Sequence, residues 1–424
     1  MKVSLIDNRV YYFSIVTGIA IFFPQFQPLA GLALEWVLTI FLAFLSFFFL
    51  LIIKGNIKLP RAAIYIMLIM FLLLLISVFR SQNIIITNDL FELAKPFYFF
   101  IFFIFSYNIN WNEENIRKYF YFLMVFLFFA AVFGIVESLT PFFNELGNVI
   151  YKGDRGVLSY KAVFSFISPY TFGAVLILPF FYFLFSIFTT HTFILKNILM
   201  MSVFLLCIIL TQSRTIFIGL FFTLFISFLL LLFTTWVEFR KKFLFYFSIL
   251  SFLFLLLMPF FLHYSKEYVP YLYSGIESVF DNIIDFKFDY FINSSPSIYL
   301  RYEQLMLTIA EQDEIPLIGV AIGKANVMPE SFYAMYFYRT GLLGVFLHLG
   351  VIFFAIKCAI DISKYHYQHA RNDLGCVFFA LAVYFISLPF SYFSSAVNDQ
   401  TRSGFLFYSL LGLVFYLKKN LNKR

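Results

Sequence analysis

Long apolar runs, one after another along the chain, restrict the fold more than any other feature. A helix that crosses the hydrocarbon core of a bilayer needs roughly 20 mainly apolar residues in succession. Breaking the chain at its charged and proline-rich clusters leaves about twelve such runs, at 10 to 26, 29 to 53, 62 to 79, 90 to 107, 119 to 137, 166 to 188, 192 to 210, 215 to 237, 243 to 262, 331 to 356, 374 to 397 and 403 to 417. The runs are continuous rather than alternating with period two, so they predict helices and not barrel strands. The expected fold is an all-α polytopic membrane protein with about twelve transmembrane helices, one transmembrane domain over 1–424. A composition of 62% hydrophobic and 12% charged residues excludes a water-soluble fold. The 67 phenylalanines carry no polar atom and mark lipid-facing scaffold rather than a site.

Lys2 and Arg9 precede the first run, as in a signal peptide, but a second run follows at once with no small-x-small cleavage site. A retained first membrane helix is expected. Cys207, Cys358 and Cys376 lie in or beside apolar runs without CxxC spacing or nearby histidine clusters, so neither a disulfide framework nor a metal site is expected.

Basic residues in the connections set the orientation. With the N-terminus inside, 18 of the 30 Lys and Arg fall on the cytoplasmic side, among them Lys54, Lys58, Arg61, Arg117, Lys118, Arg240, Lys241, Lys242, Lys418 and Lys419. Only six acids accompany them, whereas the other side holds 12 bases and 17 acids. Both termini are therefore expected in the cytoplasm, and the net charge of +7 is mostly this positive-inside anchor. Nucleic acid is not an expected partner.

One connection stands apart, the 68 residues 263–330, which this topology places outside the cell or in the periplasm. Loops of that length concentrate function. Within it, the stretch 296 to 311 spaces Ile298, Leu305 and Ile309 nearly helically with Arg301, Glu303 and Gln304 between them, the pattern of an interfacial helix.

Six arginines lie on the outer side, apart from the cytoplasmic set: Arg80, Arg155, Arg214, Arg301, Arg339 and Arg402. Arg214 sits in the short connection Thr211-Gln212-Ser213-Arg214, which holds its fork at headgroup depth. A planar guanidinium grips phosphate or diphosphate with two parallel bonds; the alternative is a turn arginine that snorkels to lipid headgroups. Arg339 lies nine residues after Glu330, on the opposite face of an ideal helix, so the two work together only through a break or a loop at the helix start. An intrabundle pair or a contact with Tyr336 is the other reading of Arg339, and His348 is expected to be a hydrogen-bonded packing histidine. Glu330 is a candidate general base, or else a cap of the helix that follows.

Four short stretches, in this order, resemble the O-antigen polymerase and ligase family. They are Arg155-Gly156-Val157-Leu158 with Ser168-Pro169-Tyr170 and Gly173; Thr211 to Thr215 with its Ser213-Arg214 pair; Arg301 followed by Pro316-Leu317-Ile318-Gly319 and Gly323; and Glu330-Ser331-Phe332-Tyr333 followed by Arg339-Thr340-Gly341-Leu342-Leu343-Gly344. Where Glu330-Ser331 stands here, family members, ligases especially, often carry a His-Asn pair. A carboxylate still serves as a base, which keeps the chemistry of a polymerase.

The resemblance implies a GT-C-like glycosyltransferase architecture in a bacterial inner membrane. It also implies polymerisation of repeat units carried on a polyprenyl diphosphate into O-antigen, capsule or exopolysaccharide on the outer side of the membrane. The diphosphate leaving group needs charge stabilisation and the acceptor hydroxyl a base. On that reading Arg214 and Arg301 hold the diphosphate, with Arg155 and Arg339 beside them, and Glu330 is the base. No metal is required, membrane lipid surrounds the site, and a chain-length regulator is a candidate partner. The alternatives are an O-antigen ligase that transfers glycan to a lipid acceptor, or a flippase or other transporter of lipid-linked oligosaccharide.

Overall fold

The computed structural model describes residues 4–24, 34–52, 57–81, 86–151, 161–166, 168–189, 194–234, 236–237, 239–249, 251–252, 256, 266, 273, 296–312, 316–322 and 329–421. Every regular element among them is a helix. The helices are α1 (Ser4–Phe22), α2 (Leu34–Ile52), α3 (Arg61–Arg80), α4 (Ile86–Tyr107), α5 (Glu113–Leu139), α6 (Pro141–Ile150), α7 (Pro169–Thr189), α8 (Ile194–Leu210), α9 (Arg214–Phe233), α10 (Pro296–Ala310), α11 (Phe332–Gln368), α12 (Asn372–Ser391) and α13 (Thr401–Leu421), with a 3₁₀ turn at Val397–Asp399. Residues 240–249 are also helical.

Among the described residues, seven stretches are long and apolar enough to cross a membrane: α3, the Asp89–Tyr107 part of α4, α5, α7, α9, α11 and α12. Arg9–Phe22, Trp36–Ile52 and Ile194–Leu210 are shorter apolar helices. Each expected run overlaps a described helix, with parts of several, among them 10 to 26, 29 to 53 and 243 to 262, lying outside the described residues. α11 continues to Gln368, well past the expected end at 356, because Lys357, Asp361 and Lys364 prolong it with polar residues that an apolar count rejects. Of the expected outer connection 263–330, the stretch 296–310 is helical as its spacing predicts, and it leaves Tyr299, Leu300, Met306 and Ile309 exposed, as an interfacial helix does. All three cysteines are buried and stand outside any disulfide.

The chain divides into two compact units, Met1–Leu123 with Leu300–Ala355 and Tyr392–Arg424, and Met124–Tyr299 with Ile356–Ser391. In the first, α13 packs along α4, α4 also meets α2 and α3, and α1 meets α2 and α13. α13 approaches α4 closely at Gly412, where a Cβ would strike the Phe103 carbonyl. The α1 end is capped from α13: Arg402 donates to the carbonyls of Ala20 (3.0 Å), Ile21 (2.8 Å) and Phe23, at the end where helix carbonyls need outside donors. Little of α3 is buried beyond Leu73, Leu74 and Ser77, and Leu68, Ile69, Leu72 and Phe79 are exposed, as on a lipid-facing helix.

In the second unit α7 is almost wholly buried between α8 and α12, and α12 meets α9. Buried Glu137 on α5 accepts from the backbone N–H groups of Phe164 (2.6 Å) and Val163 (3.4 Å), which fastens the segment 161–166 to α5. Phe164 takes the left-handed conformation there, with φ at 47°.

Candidate functional site

The first unit brings Arg301 and Glu330 together, 29 residues apart in sequence. The Arg301 Nη2 donates to Glu330 Oε2 at 2.8 Å, while its Nε donates to the Ser394 carbonyl at 3.2 Å. Gln304, one turn further along α10, accepts the Glu330 backbone N–H at 3.1 Å, and Ala396 donates to the Glu330 carbonyl. The arginine side chain is 15% exposed and the glutamate 53%. A pair so wet contributes about 0–1 kcal/mol to stability, so stability is a weak reason for it. The cap of α11 is Ser331 rather than Glu330, since its Oγ accepts the Ala334 N–H at 3.2 Å. The carboxylate is thereby released from helix capping.

Eleven residues beyond Glu330, α11 breaks at Gly341 (φ 67°, ψ −170°). A break inside an apolar helix frees carbonyls on one side and N–H groups on the other, and each needs a partner. The segment 316–320 supplies them. Val320 N–H donates to the Tyr338 carbonyl at 2.9 Å, and the carbonyls of Pro316 and Leu317 accept from Leu342 (3.0 Å) and Leu343 (3.3 Å). Ser77 of α3 donates to the Arg339 carbonyl, and Arg80 Nη1 donates to the Gly319 carbonyl at 3.0 Å. Gly319 and Gly341 make the contact: a Cβ on either would lie against the opposing backbone, at Arg339 or Leu317. The Pro-Leu-Ile-Gly and Arg-Thr-Gly stretches, separate motifs in sequence, are therefore two halves of one joint.

Just before that break the Arg339 guanidinium is buried. It donates to Glu92 Oε2 at 2.8 Å and to the Ile322 carbonyl at 2.9 Å, and lies 3.6 Å from Asp399 Oδ2. Lys95 bonds Asp399 and stands 2.6 Å from Glu92, which closes a quartet of two acids and two bases. The quartet ends a cavity of about 110 Å³ whose other walls are largely apolar. His348 lines it too, buried with Nε2 at 3.0 Å from the Tyr392 hydroxyl, the packing role its position predicts. Arg339 thus forms an intrabundle pair, and neither the break at Gly341 nor the helix start brings it to Glu330, whose ion-pair partner is Arg301. Glu92, Lys95 and Asp399 did not stand out among the candidates. Their signal was present in Glu92 and Lys95, an i, i+3 pair of opposite charges inside an otherwise apolar run.

Arg214 belongs to the second unit, at the first position of α9, with Ser213 as N-cap accepting from Ile216 N–H at 3.4 Å. Thr211, Gln212 and Ser213 are buried, and Gln212 turns the chain at φ 51°. A cation at a helix N-terminus is disfavoured by about 0.3–1 kcal/mol, so Arg214 is not placed there to stabilise α9. Arg155 lies outside the described residues, as does Gly323. Arg80 and Arg402 serve the fold through backbone carbonyls.

No family model, curated protein or solved structure matches the chain.

Proposed function

We propose that the chain is a membrane glycosyltransferase that polymerises oligosaccharide repeat units carried on a polyprenyl diphosphate, at the outer face of a bacterial inner membrane. In this reading about twelve helices span the bilayer in a GT-C-like arrangement, both termini are cytoplasmic, and the 263–330 connection lies outside. The observation that carries it is the pairing of Arg301 with Glu330, two residues on stretches that the resemblance marks. A guanidinium for a diphosphate oxygen and a carboxylate for a hydroxyl proton then stand within one hydrogen bond of each other. Arriving diphosphate competes for Arg301, and release of the pair leaves Glu330 free to take the acceptor proton. Arg214 and Arg155 remain candidates for phosphate contact, and Arg339 keeps the joint in place rather than touching substrate.

The test is growth of a glycan ladder from a synthetic lipid-linked repeat unit by purified protein, with and without chelator. Glu330→Gln and Arg301→Ala should each slow chain growth by about 10²–10⁴-fold while the protein remains folded, with chelator having no effect. Normal ladders from both variants would refute the assignment. Loss of all transferred long glycan in cells, with lipid-linked polymer accumulating, would point instead to a ligase. A second reading, a transporter of lipid-linked oligosaccharide, draws on the broken helix and the buried quartet, features that transport folds use at their substrate sites. Transport of labelled lipid into proteoliposomes without ladder growth would favour it.

A further inference from the structure

The quartet and its cavity are not used by the mechanism above, and they have the properties of a site of their own. Four buried charges balance: Glu92 bridges Lys95 (2.6 Å) and Arg339 (2.8 Å), and Asp399 holds Lys95 and faces Arg339 at 3.6 Å. Beyond them the walls turn apolar, with Met67 and Met70 from α3, Phe100 and Phe103 from α4, Val351 from α11 and Phe415 from α13. α3 packs on α4 and meets α11 where Ser77 donates to the Arg339 carbonyl, and the cavity-lining Met67 and Leu347 stand next to residues of the outer surface of these helices. There Leu68, Leu72, Leu343 and Phe346 are exposed, as at a lipid-facing surface. A molecule entering there must have an apolar body and, at its far end, a group that two cations and two acids can accept.

Electroneutrality sets the condition that an anionic group must meet. An added anion would leave the buried cluster with a net negative charge, which a low-dielectric site resists strongly. The cluster stays neutral if one acid takes a proton as one negative charge arrives. Glu92 is the poorer choice, since it bonds both cations, whereas Asp399 sits in the short turn before α13. We propose that the cavity binds one phosphodiester lipid, whose single charge pairs with Lys95 and Arg339 while the Asp399 carboxylate takes up one proton from solution. An O–H bond forms on Asp399 and no bond in the lipid breaks. The groups that face Asp399 are Lys95 and Glu92 of α4, Arg339 and Tyr336 of α11, and Tyr408 of α13. Burial, with the Glu92 charge in support, pushes the Asp399 carboxyl above its ordinary value against the pull of Lys95 and Arg339. The proposal does not rest on the glycosyltransferase reading.

The experiment titrates purified full-length protein in a non-ionic detergent with phosphatidylglycerol, with phosphatidylcholine of the same chains and with inorganic phosphate, between pH 6 and 8. Bound lipid is counted by native mass spectrometry. One phosphatidylglycerol should bind per chain, with Kd rising about tenfold per pH unit, the slope for uptake of one proton. Asp399→Asn, a fixed copy of the protonated acid, should bind with no pH slope, and Met67→Trp, which fills the apolar end, should lose binding. Equal binding of phosphatidylcholine, equal binding of inorganic phosphate, a flat wild-type profile, a slope that persists in Asp399→Asn, or undiminished binding by Met67→Trp would each overturn the proposal. Should Asp399→Asn fail to fold, as judged by its melting curve, the wild-type slope and the Met67→Trp result decide.

Discussion

Replacing Gly341 by alanine tests the joint between α11 and the 316–320 segment. At φ 67° and ψ −170° the residue occupies a region that is essentially glycine's own, and forcing an alanine into it costs about 1–3 kcal/mol. The new Cβ would also strike the Leu317 carbonyl, so the 316–320 segment must move away. That movement breaks at least one of the bonds from Leu342 to Pro316 and from Leu343 to Leu317, and a buried donor left without its acceptor costs about 1–3 kcal/mol. Together the expected loss is about 2–6 kcal/mol. Gly350, nine residues further along the same helix, is the control: nothing lies within 4 Å of a Cβ there, and alanine should stabilise the helix by about 0.5–1 kcal/mol. Equilibrium unfolding of both variants in mixed micelles is the assay. Equal stability of Gly341→Ala and Gly350→Ala would refute the interlocked-joint geometry.

Within the quartet, Glu92→Leu or Arg339→Leu alone should cost about 3–5 kcal/mol, because each leaves charge buried without its partner. The double variant should lose less than either single change, since Lys95 and Asp399 still pair; a double-mutant cycle with zero coupling would count against the pairing. Arg402→Leu removes the cap of α1 and with it three charge-assisted bonds. A loss of at least about 1.5–3 kcal/mol and faster amide exchange over the last turn of α1 are expected. Unchanged exchange there would show that Arg402 does not hold that end.

Sequence reasoning reached the helices because bilayer length and apolarity act locally: a run of the right length is a helix wherever it ends up. It located the Ser213 turn and the 296–310 helix for the same reason, since a cap and a 3.6-residue spacing are short-range patterns. It went wrong where an element outlasts its apolar stretch, as α11 does beyond 356, and it left the role of Arg339 open. An arginine surrounded by apolar residues has the same sequence signature whether it faces a lipid phosphate or a buried glutamate. Its partner Glu92 is 247 residues away, and no local pattern joins them.

From sequence alone come the helical class, the apolar runs, the asymmetry of basic residues and a short series of arginine, glycine and glutamate motifs. These follow from chemistry that each residue carries with it, such as apolarity, charge and backbone permissiveness. Tertiary structure alone decided that Arg80 and Arg402 serve the fold through backbone carbonyls while Arg301 and Arg339 face carboxylates. It also showed that the Pro-Leu-Ile-Gly and Arg-Thr-Gly stretches form one joint, and that four charges from α4, α11 and the turn before α13 share one cavity. The reason is physical: a buried ion or a broken helix is stable only through partners distant in sequence, and folding alone brings those partners to it.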